Sequence, residues 1–398
     1  MTFSINPRME AIELSGIRKI SNLLDHYPNA INLTVGQPDF PTPTKIKEAA
    51  IHAIQKNHTS YTTNAGLLEL RVAASNFFKM KYGFTYNPQT EIIVTAGASG
   101  AMDATFRTIL EEGDEIIIPS PIYTGYDALI KLTGATAVHL DTTKTNFIPD
   151  PQKLDALITP KTKAVVFNNP SNPTGAVIPN DTMDALVKVL SKHDIFIVSD
   201  EIYSENTFEG THRSFAQYPE LRDKLFLIHG LSKSHAMTGW RLGFIFAAEK
   251  WATHVLKAHA HNTLCANQPA QHGAICALTE CTEVPKEMNK QYIQRRNLVH
   301  HRLTKMGLPT IKPNGAFYIF PSIKEFNMTS EQFTLKVLEE ADVGVVPGSA
   351  FTPIGEGYIR ISFANSIEQL ELAMDRLEKW ITNWRENERH MVPDPPLI

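Results

Sequence analysis

The sequence has few cysteines, no large excess of either charge and no long apolar run, and each shortage excludes a class of protein. Cys265, Cys276 and Cys281 are too few for a disulfide framework and include no CxxC pair suited to zinc, so we expect reduced, buried thiols. The net charge of -4 gives no broad attraction to nucleic acid or anionic membrane. No stretch approaches the roughly 18 to 20 apolar residues of a membrane span and no signal peptide is visible, so we expect a cytoplasmic location. The histidines show no metal-ligand spacing, and no metal site is expected.

What the chain does contain is a series of short, β-branched runs that are apolar almost throughout. They span residues 91–97, 114–121, 135–141, 163–170, 195–203, 225–232 and 241–247. Such runs are typical of strands buried on both faces. Segments with helical spacing of apolar residues, and with Asn, Asp or Ser near their start, separate several of them. The alternation predicts an α/β fold with a mostly parallel, seven-stranded sheet.

The pattern of apolar and polar residues changes after about residue 284. A long polar helix follows, and then shorter strand and helix patterns that predict a smaller α+β domain. The first forty or so residues are rich in turn signals and are expected to pack with that domain. The predicted organisation is therefore an N-terminal segment 1–45, a large domain 46–285 and a small domain 286–398. Its polar, then proline-rich end, from Glu386, is expected to be frayed.

The segment GLSKSHAMTGWRLG, residues 230–243, carries the most specific chemical signal. Lys233 follows a strand and stands between Ser232 and Ser234, with Arg241 a short distance on. A lysine that attaches a carbonyl cofactor must be fixed in a pocket, because its amine has to lose a proton and later act as a base. The serines and the arginine offer donors suited to a phosphate beside it. A lone SxK would more often be a solvated lysine in a turn, but the whole segment favours the cofactor.

This segment resembles the cofactor-lysine motif of the class I/II aminotransferases, which are fold type I enzymes that depend on pyridoxal 5'-phosphate (PLP). The similarity covers nearly the whole chain, and the motifs NNPSNPTG at 168–175 and SDEIY at 199–203 follow the order expected in that family. The resemblance implies that PLP is attached to Lys233. It also implies that Asn172 and Tyr203 contact the 3-oxygen of PLP and that Asp200 contacts its pyridine nitrogen. A carboxylate at that nitrogen favours the protonated ring, which is the form that accepts electrons.

The segment TAGAS, residues 95–99, places Gly97, Ala98 and Ser99 after a strand and at the start of a helix. Free backbone N–H groups and the helix dipole favour a phosphate at such a position. The resemblance implies that this tripeptide binds the PLP phosphate and that Tyr61 reaches the same phosphate from a partner subunit. It further implies that Tyr123 stacks on the pyridine ring, although a core tyrosine is the usual alternative.

Arg360, in GYIRISFA, lies on a predicted strand of the small domain, where an inward charge is costly unless it is paired. The resemblance implies that Arg360 binds the substrate α-carboxylate beside Asn172 and Gly36, with a structural salt bridge as the alternative. The resemblance also implies that Ser15, Gly16, Ile17 and Arg18 lie near the substrate entrance. Arg18 is the candidate for a distal carboxylate, or else an exposed surface arginine. Related bacterial aspartate aminotransferases often have lysine at the position of Ser99, and its absence counts against strict dicarboxylate specificity.

Several stretches, among them TVGQPDF and KPNGAFYIFPSIK, most resemble the N-acetyl-LL-diaminopimelate aminotransferases of the bacterial lysine pathway. The implied reaction is ping-pong transfer of an amino group between glutamate and 2-oxoglutarate and that substrate couple, in a homodimer with shared active sites. The alternatives are an aspartate, alanine or aromatic aminotransferase, or a PLP cystathionine β-lyase. A transcription regulator built on an aminotransferase-like domain is least favoured, because no basic recognition helix is present.

Overall fold

The architecture was established from a computed structural model that describes residues 3–13 and 16–391, with side chains as far as residue 387. The strands are β1 Ile31–Asn32, β2 Ile92–Thr95, β3 Glu115–Ser120, β4 Thr136–Asp141, β5 Thr162–Asn168, β6 Phe196–Asp200, β7 Leu225–Gly230, β8 Gly243–Ala247, β9 Tyr318–Ile319, β10 Val343–Gly344, β11 Val346–Pro347 and β12 Ile359–Ser362. The α-helices are α1 Pro7–Glu10, α2 Gly16–Leu24, α3 Thr44–Gln55, α4 Leu68–Tyr82, α5 Gly97–Ile109, α6 Gly125–Thr133, α7 Pro151–Leu157, α8 Asn180–Leu190, α9 Glu249–Thr263, α10 Gln268–Thr279, α11 Val284–Lys305, α12 Ser330–Ala341 and α13 Ile367–Met391.

A seven-stranded sheet in the order β2-β8-β7-β6-β5-β3-β4 forms the centre of the fold. The neighbouring pairs from β7 through β4 are all parallel, whereas β8 runs antiparallel to both β2 and β7. Each strand coincides with one of the seven apolar runs of the sequence, β5 beginning one residue before its run, so the predicted α/β fold with a mostly parallel sheet is confirmed. The inner strands are buried almost throughout because helices cover both faces.

Local sequence explains where several helices begin and end. Asp150 caps α7 by accepting hydrogen bonds from the backbone N–H groups of the next turn, and Pro151 suits the first helical position. Thr329 and Gln332 form a capping box at the start of α12. Gly83 ends α4 at φ 76°, a conformation that costs glycine little.

The first strand and the C-terminal part of the chain share one core. β1 pairs in parallel with β10, and Ile31 lies opposite Val343. Ile31 and Leu33 pack in the same buried cluster as the apolar faces of α11, α12 and α13. Two further clusters fill the two faces of the large sheet. The cleft between the sheet and the C-terminal elements is therefore bounded by residues from both ends of the chain.

Two expectations need correction. Cys276 and Cys281 are buried and all three cysteines are free, but Cys265 is partly exposed. The backbone remains helical past Glu386, because α13 continues to Met391, whereas among the described side chains its apolar contacts with the core end at Trp384. The rest of the predicted frayed tail, residues 392–398, lies outside the described residues. Over the described part of the chain, every helix is too short or too polar to cross a membrane.

Candidate active site

The carboxyl ends of the parallel strands form one wall of a cavity of about 860 Å³. Asn168 ends β5 and Asp200 ends β6, and the turn that carries Lys233 follows β7. In open α/β sheets, ligands bind at this edge of the sheet. The opposite wall comes from the segment after β1 and from Tyr318 and Arg360 on the small C-terminal sheet.

Lys233 lies in this cavity and is partly buried. Its Nζ donates a hydrogen bond to the carbonyl oxygen of Gly36 and lies 5.8 Å from the ring centre of Tyr203. Burial lowers the pKa of Lys233 to about 8, and the nearby cations Arg360 and Arg241 act in the same direction. A lysine with such a pKa has a substantial neutral fraction near neutral pH, and the neutral amine is the nucleophile.

Asp200 is buried at the floor of the cavity, and each of its carboxylate oxygens accepts a hydrogen bond. The hydroxyl of Tyr126 donates to Oδ2 at 2.5 Å, and the backbone N–H of Ile202 donates to Oδ1 at 3.1 Å. Burial raises the pKa of Asp200 to about 6, against the effect of these two donors. A cation placed beside this carboxylate would favour its ionised form.

The start of α5 and the side chain of Arg241 form a site suited to a phosphate. Gly97 has φ 76°, and a Cβ atom there would lie 2.5 Å from Nη2 of Arg241, so only glycine fits. Ala98 and Ser99 follow at the helix N-terminus and line the cavity together with Ser232 and Arg241. Backbone N–H groups at a helix start, a hydroxyl and a guanidinium are a donor set that binds phosphate.

Arg360 is buried, yet its hydrogen-bond partners are uncharged. Nη1 donates to Oδ1 of Asn172 at 2.9 Å and Nη2 donates to the carbonyl oxygen of Thr34 at 2.6 Å. Among the described residues its Nε has no partner, and no carboxylate forms a salt bridge with it. A buried cation without a counter-ion is unfavourable, so the site is built to receive an anion.

Most of the residues predicted from the sequence meet around this cavity. Those that line it are Ile17, Arg18, Gly36, Ala98, Ser99, Tyr123, Asn172, Asp200, Tyr203, Ser232, Lys233, Arg241 and Arg360. Gly97 contributes through its backbone beside Arg241. Ser234 is buried away from the cavity, where its hydroxyl is 2.8 Å from Nδ1 of His235. Tyr61 is 80% exposed, outside the cavity of its own chain. Gly16 begins α2 near the cavity mouth, and Ser15 lies outside the described residues.

Sequence reasoning missed the tyrosines that set the polar side chains in place. Tyr126 on α6 binds Asp200, and the hydroxyl of Tyr318 on β9 lies 2.8 Å from that of Tyr203. Asn168 accepts a hydrogen bond from the backbone N–H of Asn172 and donates to the carbonyl oxygen of Asp200. Asn168 stands inside the NNPSNPTG motif, so its place in the motif was the available signal. Tyr318 likewise stands inside the stretch KPNGAFYIFPSIK, whereas Tyr126 lies in none of the motifs and gave no such signal.

The residues present fit PLP on structural grounds alone. A partly buried lysine with a lowered pKa suits the aldehyde, a phosphate site lies at the start of α5, and a buried carboxylate suits the pyridine nitrogen. Arg360 adds a site for an anion near Lys233, whose pKa it lowers. The cavity volume is also sufficient for the cofactor together with a substrate.

Comparison with known proteins agrees with this assignment. The family model described as aminotransferase class I and II matches residues 28–377. The chain is 49% identical to the probable N-acetyl-LL-diaminopimelate aminotransferase of Bacillus subtilis, over 97% of this chain and 98% of that protein. It is 40% identical to aromatic-amino-acid aminotransferase 2 of Thermococcus litoralis, over 94% and 98% of the two chains. The crystal structure of aspartate aminotransferase from Thermus thermophilus with maleate superposes with a TM-score of 0.90 at 33% identity, covering 95% of this chain and 100% of that one.

The fold and the cavity thus define a PLP-dependent transferase of fold type I. The chain belongs to the class I and II aminotransferases, and it is a PLP-dependent enzyme that transfers amino groups between amino acids and keto acids.

Proposed function

We propose that Lys233 is the residue that attaches PLP and that its amine, once released, moves the proton at the substrate Cα. Its burial and its lowered pKa support this role, because a protonated surface lysine could do neither at neutral pH. When bound, PLP supplies an electron sink for the negative charge that develops at Cα. Tyr203 lies close enough to Lys233 for its ring to face the ammonium group, and we assign it to the 3-oxygen of PLP together with Asn172.

The other cofactor contacts follow from where the donors lie. Gly97, Ala98, Ser99, Ser232 and Arg241 are assigned to the phosphate. Asp200 is assigned to the pyridine nitrogen, where its charge would stabilise the ring cation. Tyr123, which is partly exposed at the cavity wall, is assigned to the face of the ring. Ser234 supports this site only indirectly, because its side chain contacts His235 instead of the cavity.

The single observation that carries the substrate class is Arg360. Its buried guanidinium has neutral partners on two sides and an unpartnered Nε among the described residues, so the α-carboxylate of an amino acid would supply the missing negative charge. A planar guanidinium binds a carboxylate through two parallel hydrogen bonds, which also fixes the orientation of Cα. Gly36 also lines the cavity, and its carbonyl oxygen accepts a hydrogen bond from Lys233.

We assign the distal half of the substrate to the mouth of the cavity. Ile17, Arg18 and Ser21 of α2 line it on one side, and Met102 and Leu129 line it on the other. These residues combine one charged group, the guanidinium of Arg18, with several apolar side chains. Ser99 is uncharged, so Arg18 is the cation of this group. Such a mouth suits a long substrate with an apolar stem and a distal carboxylate. N-acetyl-LL-diaminopimelate, the substrate in the name of the Bacillus subtilis relative, has that chemistry, and its 6-oxo counterpart and the glutamate/2-oxoglutarate couple would complete the reaction.

We further propose a homodimer in which Tyr61 completes the partner's phosphate site. Tyr61 is exposed and lies outside the cavity of its own chain. Exposed apolar side chains lie on the neighbouring helices and on the loop that Asn64 contacts, namely Ile51, Ile54, Leu68, Val72 and Leu264. Exposed apolar residues on adjacent elements are typical of a subunit interface. We also propose that the protein is cytoplasmic and acts in lysine biosynthesis. We propose that the chain divides into three parts, with boundaries after residues 45 and 285.

The test is the ratio kcat/KM for N-acetyl-LL-diaminopimelate beside aspartate, alanine, aromatic amino acids and cystathionine, with 2-oxoglutarate as acceptor. We expect N-acetyl-LL-diaminopimelate to be preferred. A tenfold preference for aspartate or an aromatic amino acid, about 1.4 kcal/mol of discrimination, would refute the lysine-pathway assignment. Release of pyruvate from cystathionine would instead identify a lyase.

A further inference from the structure

A second buried carboxylate, that of Glu201, follows Asp200 directly in the chain. The side chain of Glu201 is only 1% exposed. Four groups donate hydrogen bonds to it: Ser199 Oγ at 2.9 Å, Ser214 Oγ at 3.0 Å, the backbone N–H of Phe215 at 3.1 Å and His212 Nε2 at 2.7 Å. A fully buried carboxylate with this many donors is held in one orientation.

Glu201 does not belong to the cavity that holds the candidate cofactor residues. Asp200 and Ile202 line that cavity, whereas Glu201 lies between them in sequence and points into the protein. Successive side chains of an extended segment point to opposite sides. The rings of Phe78 and Tyr82 pack against His229 and His212 and close this region to solvent. Nothing in the proposed reaction uses this group directly.

The carboxylate of Glu201 is ionised in spite of its burial. Burial raises the pKa of Glu201, but His212 and His229 outweigh that effect and lower the pKa to about 2. His212 donates from Nε2, and among the described residues its Nδ1 atom has no hydrogen-bond partner. His229 lies 3.6 Å from the carboxylate, and burial lowers its pKa. With a pKa of about 2, the Glu201 carboxylate is ionised at neutral pH and places a negative charge one residue from Asp200.

Two connections link this charge to Asp200. The first connection is the backbone. The hydrogen bonds to Glu201 hold this segment in place, and the backbone N–H of the next residue, Ile202, donates a hydrogen bond to Asp200. The second is electrostatic, because the charge of Glu201 disfavours an ionised Asp200 and so contributes to the raised pKa of that residue, after burial. Asp200 thereby becomes a stronger base toward a cation in the cavity.

We propose that Glu201 is a positioning residue for cofactor chemistry, whose buried carboxylate orients Asp200 and supplies a fixed negative charge that strengthens its hold on the protonated ring nitrogen of PLP. The inference rests on the proposed role of Asp200. The other titratable or charged groups near the two carboxylates are Tyr82 and Lys81 on α4, Tyr86 after it, Tyr123 before α6, Tyr126 on α6, Tyr203 and Glu205 after β6, His212, His229 on β7 and Lys233. All of them stay in place in the single variants below.

The experiment compares the purified, PLP-loaded wild-type protein with Glu201→Gln. The glutamine amide keeps the shape of the carboxylate but removes its charge, and its NH2 group can donate to His212 if the imidazole proton moves to Nδ1. Removal of a negative charge destabilises nearby cations. We therefore expect the pH midpoint of the visible absorption change of bound PLP to fall by roughly half a unit or more. At about pH 8.5, where Asp200 is ionised in both proteins, the dissociation constant for PLP should rise by about threefold or more for the same reason.

Two control variants separate electrostatics from structure. Ser214→Ala removes one hydrogen bond to Glu201 but keeps the charge, so it should lower the melting temperature without moving the spectral midpoint. Glu201→Asp keeps the charge and should retain a midpoint near that of the wild type. If Glu201→Gln does not fold, Glu201→Gln combined with His212→Gln provides a neutral amide pair, with the same expected shift.

The outcomes are distinguishable. A folded charge-free variant with the wild-type midpoint and PLP affinity would overturn the role of Glu201. An equal shift in Ser214→Ala would also overturn it, because the effect would then be structural. Asp200→Asn is measured in parallel. If Asp200→Asn has the PLP affinity and spectral midpoint of the wild type, the proposed role of Asp200 fails. If Asp200→Asn differs from the wild type but Glu201→Gln does not, only the proposed role of Glu201 fails.

Discussion

Tyr126 donates a hydrogen bond from its hydroxyl to Oδ2 of Asp200 at 2.5 Å, and both side chains are buried. This bond favours the ionised carboxylate, because a charged acceptor gains more from a hydroxyl than a neutral one does. It therefore opposes burial, which raises the pKa of Asp200 to about 6. The ionisation of the candidate ring-nitrogen partner thus depends strongly on a hydroxyl from a distant helix.

Replacement Tyr126→Phe should weaken PLP binding in a pH-dependent way. Without the hydroxyl the pKa of Asp200 rises further, so at about pH 6.5 less of it is ionised, and for a one-unit rise PLP affinity falls by roughly threefold. At about pH 8.5 Asp200 is ionised in both proteins, and the affinities should converge. Titration of cofactor-free protein with PLP at the two pH values measures this.

Tyr86→Phe is the matched control for that experiment, because among the described residues the buried Tyr86 hydroxyl has no hydrogen-bond partner and lies outside the cavity. It should leave PLP affinity unchanged at both pH values. If Tyr126→Phe weakened binding equally at both pH values, the hydroxyl would act on shape and not on the charge of Asp200.

The contrast between Asp200 and Tyr126 shows how far the sequence could predict this site. Asp200 and Asn172 stand next to strands with an unmistakable apolar pattern, so their place at the carboxyl edge of the sheet followed from strand direction and from the family motifs. Tyr126 reaches Asp200 from α6, and on a helix its spacing is that of an ordinary core residue. Tyr126 reaches Asp200 only because α6 packs on the sheet, and the local sequence pattern does not predict that packing.

Arg360 illustrates a second limit. A charge within a predicted buried strand required a partner, and the sequence could indicate that need but not the partner's chemistry. In the structure the neighbours are Asn172 and the backbone of Thr34, which come from distant parts of the chain and carry no charge. The small strands β9, β11 and β12 that hold Arg360 in place are two to four residues long. Strands this short have too few residues for an alternating pattern to be visible.

Lys233 should be the lysine that attaches PLP, with a pH dependence set by its surroundings. Burial and the nearby arginines lower its pKa to about 8, so the neutral amine is lost as pH falls below that value. The rate of PLP attachment to cofactor-free protein should therefore rise through about pH 8 and then level off. Borohydride reduction followed by peptide mapping identifies the modified lysine. A label on any other lysine, or a rate that climbs steadily toward pH 10, would contradict the assignment.

Mixing two inactive variants should restore activity if Tyr61 serves the partner's site. In a heterodimer of Tyr61→Ala and Lys233→Ala chains, one of the two sites has both residues intact. Activity should appear on mixing under conditions that exchange subunits, up to roughly a quarter of the wild-type value for random pairing. Asp200→Ala mixed with Lys233→Ala is the matched control: both residues line the cavity of one chain, so no heterodimer site is complete and no activity should return. A fully active monomer in sedimentation would refute the shared site.

Arg18 should select substrates by their distal carboxylate. It lines the cavity mouth on α2, where its guanidinium would gain a charge-assisted hydrogen bond of about 1.5 to 3 kcal/mol from that group. Arg18→Gln is therefore expected to lower kcat/KM for N-acetyl-LL-diaminopimelate by roughly tenfold to a hundredfold. Alanine has no distal carboxylate, and its kcat/KM should change little. Lys19→Gln is the matched control, because Lys19 forms an exposed salt bridge with Glu13 and lies outside the cavity lining. An equal loss for both substrates in Arg18→Gln would indicate a structural role for α2, and no loss for either would leave Arg18 a surface residue.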